Sequence, residues 1–132
     1  MTAATSRGCL LQIGQVAERT GLSLRTIRFY EENGLVVPTA RTDGRFRLYS
    51  EDDITRLQVI KQMKPLSFTL EEMSDLLDLL AQLTHRPDDL HLRDRLRVFH
   101  HAATARVTAL RDQLTVAEDF AHDLAQRLTN QI

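Results

Sequence analysis

Residues 13–49 read IGQVAERTGLSLRTIRFYEENGLVVPTARTDGRFRLY, and their short apolar stripes punctuated by glycine decide the fold. Ile13, Val16 and Ala17 fall on one face of a helical repeat. Gly21 closes that helix, because a left-handed residue after the last turn costs glycine no steric penalty. Ser23 offers a side-chain oxygen to an orphan amide of the next helix. Leu24, Ile27 and Tyr30 or Glu31 resume the helical step, and Gly34 stops it ahead of Pro38. Two short helices joined by a glycine-containing turn predict a helix-turn-helix, whose second member enters the major groove of DNA.

The outward face of that second helix is expected to carry Arg25, Thr26 and Arg28, beside Phe29 and Tyr30. Guanidinium groups suit phosphate oxygens and the acceptor pair on guanine, and a tyrosine hydroxyl can bond a phosphate. A solvated arginine face would account for any lone pair of arginines. The following segment favours DNA instead. Arg41, Arg45 and Arg47 surround Thr42, Asp43 and Gly44, a turn signal between short extended runs that end at Leu48 and Tyr49. A basic hairpin directly after a recognition helix predicts a wing that grips the backbone.

These residues carry a resemblance. IGQVAERTGLSLRTIRFYEENGL (13–35), followed by RTDGRFRLYSEDDITRLQVIKQMKPLSFTLEEM (41–73), resembles the MerR family of bacterial transcription regulators. The family's Arg-Phe-Tyr-Glu recognition helix is matched by Arg28, Phe29, Tyr30 and Glu31. Its Asn-Gly-Tyr-Arg-x-Tyr wing is matched by Gly44, Phe46, Arg47 and Tyr49, with the glycine one place early and Arg45 in its usual slot. Its Leu-Gly-Phe appears as Leu66, Ser67 and Phe68, so serine stands where a turn glycine is usual. The match is dense to about residue 80, and the later chain agrees in layout only.

Composition sets the frame. The chain has 132 residues, enough for one DNA-binding domain and an appendage; 27% are charged and the net charge is −1. The two halves differ: residues 1–68 hold ten Lys/Arg against seven Asp/Glu, and residues 69–132 hold seven against eleven. The resulting +3 and −4 put basic charge on the part that should meet phosphate. A single cysteine, Cys9, excludes an intrachain disulfide and any multi-cysteine zinc site. The start, MTAATSRGCLLQ, has no sustained apolar core, so residues 1–11 read as a flexible leader and the protein as cytoplasmic, without a membrane partner.

After the wing, Ser50 is a predicted N-cap with Glu51, Asp52 and Asp53 in the first turn. Ile54, Leu57 and Ile60 or Lys61 form a stripe that Pro65 ends. Thr69 to Glu72 is a capping-box pattern opening a helix over 70–83, lined by Leu70, Met73, Leu76, Leu77 and Leu80, a core stripe. Residues 84–91 are a predicted linker in which Asp88 or Asp89 caps the next helix. Residues 92–132 contain neither glycine nor proline. Their apolar positions, Leu92, Leu96, Phe99, Ala103, Val107, Leu110, Leu114, Ala117, Ala121, Leu124 and Leu128, step by four and three with one lapse at Ala103. So narrow a seam on so long a helix needs a partner along its length. Phe99, Val107, Leu110, Leu114, Ala117 and Leu124 are the candidate dimerisation residues. Spacing implies association, and the resemblance implies an antiparallel pair holding two DNA-binding heads apart.

The fold class expected is all-α with a small β wing: a winged helix-turn-helix over residues 12–83, followed by a long dimerisation helix. No catalytic constellation is present and no enzyme or cofactor is expected. His85, His91, His100 and His101 with Asp88 or Asp89 are the candidates for a metal site. His100 and His101 point about 100° apart on a helix, so the expectation is that no metal binds. Cys9, with only Arg7 nearby, is expected to be inert. The resemblance implies a homodimeric regulator that binds a pseudo-palindromic operator in double-stranded promoter DNA, distorts it, and works with RNA polymerase. Its rivals are an effector-free repressor or architectural binder and, from another class, a coiled-coil protein-interaction module. An unidentified small-molecule effector, where one acts, is expected where the 70–83 helix meets the partner's long helix.

Overall fold

The glycines and caps act where local chemistry puts them. In the computed structural model, which describes residues 10–41 and 47–130, α1 (Ile13–Thr20) ends at Gly21 with φ 75°, whose amide bonds the Ala17 carbonyl. A Cβ there would lie 3.1 Å from Lys61 Nζ, which itself donates to the Thr20 carbonyl at 2.6 Å. Glycine is therefore favoured at this turn by its backbone conformation, and a side chain there would also ask the lysine end to shift by a few tenths of an ångström. Ser23 Oγ accepts from the Thr26 amide and starts α2 (Leu24–Glu32). Gly34, φ 75°, carries the chain out of α2.

Three short strands follow an antiparallel plan: β1 (Leu11–Gln12), β2 (Ala40–Arg41) and β3 (Arg47–Tyr49), with β3 in the centre. Leu11 faces Tyr49, and Arg41 faces Arg47. The first strand corrects the expected leader, because Leu11 belongs to the sheet. Its partner lies almost forty residues downstream, so no local signal marks a two-residue strand.

Ser50 and Asp53 form a reciprocal capping box at the start of α3 (Glu51–Met63). Pro65 sits in a 3-10 turn, Lys64–Leu66, after which Ser67 takes φ 64°. Thr69 and Glu72 form a second capping box and open α4 (Leu70–His85). The core of this part is Val16, Ile27, Tyr30, Leu35, Val36, Tyr49, Ile54, Leu57 and Ile60, all nearly inaccessible to water. Truncating a leucine such as Leu57 in so closed a core costs about 2–5 kcal/mol. On the surface, Arg19 grips Glu51 through two hydrogen bonds of 2.6 and 3.0 Å, joining the end of α1 to the start of α3. The guanidinium bond holds the Glu51 carboxyl below its ordinary range.

The chain divides into two units, residues 1–88 and 89–132. The second is α5 (Leu90–Asn130), a helix of 41 residues and about 60 Å at ~1.5 Å rise per residue. Asp89 caps it, its carboxylate accepting from the Leu92 amide at 3.1 Å. The helices reach further than expected on both sides of the linker: α4 runs through Thr84 and His85, and α5 takes in His91.

Candidate nucleic-acid interface

On α2 the residues Arg25, Arg28, Phe29 and Glu32 are all exposed and follow the i, i+3, i+4, i+7 pattern of a single helix face. Ile27 and Tyr30 lie opposite, at 0% and 2% exposure. The hydrophobic demand of the core, met by these two, turns both arginines to water. Thr26 is half-buried, and its hydroxyl accepts from Ser23 Oγ at 2.8 Å, so it belongs to the helix cap as well as to the face.

Tyr30 is a correction. The sequence placed its hydroxyl on the outward face, and the structure places the whole side chain in the core, its ring meeting Phe29 edge to face at 5.6 Å between centroids. The helical stripe through Leu24, Ile27 and Tyr30 already contained this alternative. Leu24 is the member that stays exposed, because it sits at the first turn.

In the wing, Arg41 stands opposite Arg47 in register, while Arg45, with Thr42, Asp43, Gly44 and Phe46, lies outside the described residues. Arg47 does more than project outward. Its Nε donates to Glu31 Oε2 at 2.8 Å, and the glutamate side chain is only 10% exposed. This bond ties the central strand of the wing to the recognition helix. A second device holds the base of the hairpin. Thr39 Oγ1, one residue before β2, and the Ser50 amide, one residue after β3, both donate to Asp53 Oδ2, at 2.7 and 2.9 Å. Arg56 Nε adds a bond of 2.9 Å to the Leu35 carbonyl beyond α2. In the sequence, Glu31 stands out only as part of the Arg-Phe-Tyr-Glu motif and of the helical step, and Asp53 only as an acid in a first turn.

Among the described residues, no group of three or more His, Cys, Asp or Glu side chains is placed to share a metal ion. His100 and His101 are both exposed, with ring centroids 6.1 Å apart. A cavity of about 350 Å³ opens between α3 and α4, with Val59, Leu77, Leu80 and Ala81 as its apolar wall and Arg56 and His85 at its rim. On α5, Val107, Leu110, Leu114 and Leu124 are 38–57% exposed, Ala117 is exposed, and Phe99 is half-buried. Two large side chains off the expected seam, Val116 and Phe120, are also exposed. No helix of the described residues is long and apolar enough to cross a membrane.

Known proteins resemble this arrangement. The family described as MerR HTH family regulatory protein matches residues 11–80. The HTH-type transcriptional regulator YfmP of Bacillus subtilis is 50% identical over 74 residues, covering 55% of this chain and 53% of that protein. The HTH-type transcriptional regulator CueR of Salmonella typhi is 32% identical over 105 residues, 79% of this chain and 76% of that protein. The chain thus spans about half the length of some relatives and three quarters of others. Among solved structures, the transcription regulator PbrR691 from Ralstonia metallidurans CH34, in complex with lead(II), is 31% identical with a TM-score of 0.55. The match covers 88% of this chain and 85% of that one.

Proposed function

Because this chain belongs to the MerR family of helix-turn-helix regulatory proteins, we propose that it is a homodimeric transcription regulator that binds and distorts promoter DNA. The observation that carries the reading is the outward face of α2, where Arg25 and Arg28 stand exposed on a helix whose other side is locked into the core. Arg28 and Arg25 read base edges or phosphates from the major groove, and Thr26 supplies a hydroxyl at the helix start. Arg41, Arg45 and Arg47 serve the wing, Arg47 chiefly by fixing β3 to Glu31. Two heads held by paired α5 helices meet a pseudo-palindromic operator. Deforming that DNA, at a cost of order ~1–10 kcal/mol met by backbone contacts, realigns promoter elements for RNA polymerase.

A regulator of this kind works in the cytoplasm. An effector would act at the α4 side of the head, where the cavity between α3 and α4 has the size of a small-molecule site.

The test is a mobility shift with DNA from the protein's own promoter, followed by footprinting and in vitro transcription. Arg28→Ala should weaken binding by about 1–3 kcal/mol if the side chain reads a base, or lower the salt slope by about one if it holds a phosphate. Unchanged affinity and slope would remove Arg28 from the interface.

A further inference from the structure

The exposed face of α2 contains a residue that neither charge nor core packing explains. Phe29 is 46% exposed, while the core side of the same helix is filled by Ile27 and Tyr30. It lies one turn after Arg25 and next to Arg28 in sequence, at the flank of the exposed face that carries both arginines. Its ring meets that of buried Tyr30 in an edge-type contact, 5.6 Å between centroids. A phenyl group has no donor or acceptor for a base edge or a phosphate. The apolar group that a major groove displays is the 5-methyl of thymine. Against a guanine or cytosine edge, the same ring would strip water from polar groups and give nothing back.

We propose that Phe29 is a specificity-determining residue that reads a thymine methyl beside the contacts of Arg25 and Arg28. The proposal rests on the DNA-binding function proposed above and adds to it a base preference. It makes each half of the operator contain a thymine at a fixed offset from the arginine contacts. The contact is worth roughly one buried methyl group, ~0.8 kcal/mol, or about fourfold in affinity.

The experiment uses the footprinted promoter fragment with each thymine replaced singly by deoxyuridine, which removes the methyl and leaves every hydrogen-bonding group in place. Wild-type protein should lose about fourfold in affinity at one thymine per half-site and nothing elsewhere. Phe29→Ala should bind unmodified DNA weakly by the same factor and be indifferent to deoxyuridine at that thymine. Phe29→Leu, which keeps an apolar tip, should retain part of the discrimination. Thermal melts of the variants check that the heads remain folded, and a merely structural role would lower affinity without abolishing the difference between thymine and deoxyuridine. Tight binding with no deoxyuridine-sensitive position, or equal sensitivity in Phe29→Ala, overturns this proposal and leaves DNA binding standing. No protection of any promoter DNA by the wild-type protein overturns both.

Discussion

Ser67 occupies the left-handed region with φ 64°, alone among the described non-glycine residues. It closes the 3-10 turn between α3 and α4, its amide bonding the Lys64 carbonyl at 2.9 Å, where the sequence resemblance has glycine. An L-residue there costs roughly 1–2 kcal/mol, partly offset because serine loses less chain entropy than glycine on folding. Ser67→Gly should therefore raise stability by about 0.5–1 kcal/mol, read as a higher urea midpoint at unchanged m. A lower midpoint would mean that the serine side chain makes a stabilising contact that glycine loses. The same scale explains Tyr30. Helical spacing allowed it either face, and the ring is buried on the same side as Ile27.

Between elements, two carboxylates hold the wing. Asp53 collects donors from both ends of the β2–β3 hairpin, and Glu31 takes Arg47 from its central strand. The Glu31 bond gives a test in which two roles for Arg47 predict opposite signs. If Arg47 acts only as a phosphate contact, Glu31→Ala removes a neighbouring negative charge and should tighten DNA binding and steepen its salt dependence. If the bond positions the wing, the same substitution should weaken binding, by roughly 1 kcal/mol for a charge-assisted bond that is partly exposed. The expected outcome is weaker binding, measured as the dissociation constant at two salt concentrations. Tighter binding would return Arg47 to a simple electrostatic role.

At the scale of the whole molecule, α5 is the element that cannot stand alone. Leu110, Leu114 and Leu124 are 44–57% exposed along its expected seam, and Val116 and Phe120 widen the apolar sector to one side. Helical stability of this length comes from packing an apolar face. Leu114→Glu should convert the proposed dimer to a monomer, because it buries an unpaired charge in mid-seam. Light scattering showing an unaltered dimer mass would place the interface elsewhere. A metal requirement is tested by calorimetry with Zn²⁺, Co²⁺ and Ni²⁺. No stoichiometric submicromolar binding is expected, since a single cysteine leaves few soft ligands. Tight binding abolished by His85→Ala or His91→Ala would make the histidines a sensor.

The sequence alone determined what depends on neighbours within one helical turn. The caps at Ser23, Ser50 and Thr69, the left-handed turn at Gly21, the helix stop at Gly34, and the uninterrupted run of α5 each follow from side-chain chemistry at fixed short spacing. Motif order along residues 13–73 also marked the family. Tertiary structure decided what depends on partners far along the chain: the pairing of Leu11 with Tyr49, the inward turn of Tyr30, the Glu31 bond to Arg47, and the closure of the hairpin on Asp53. For Tyr30 the helical period left two faces open and the core chose one; the other three join segments whose separation in sequence carries no periodic signal, and they meet because the core around Ile27, Leu57 and Tyr49 brings those segments together.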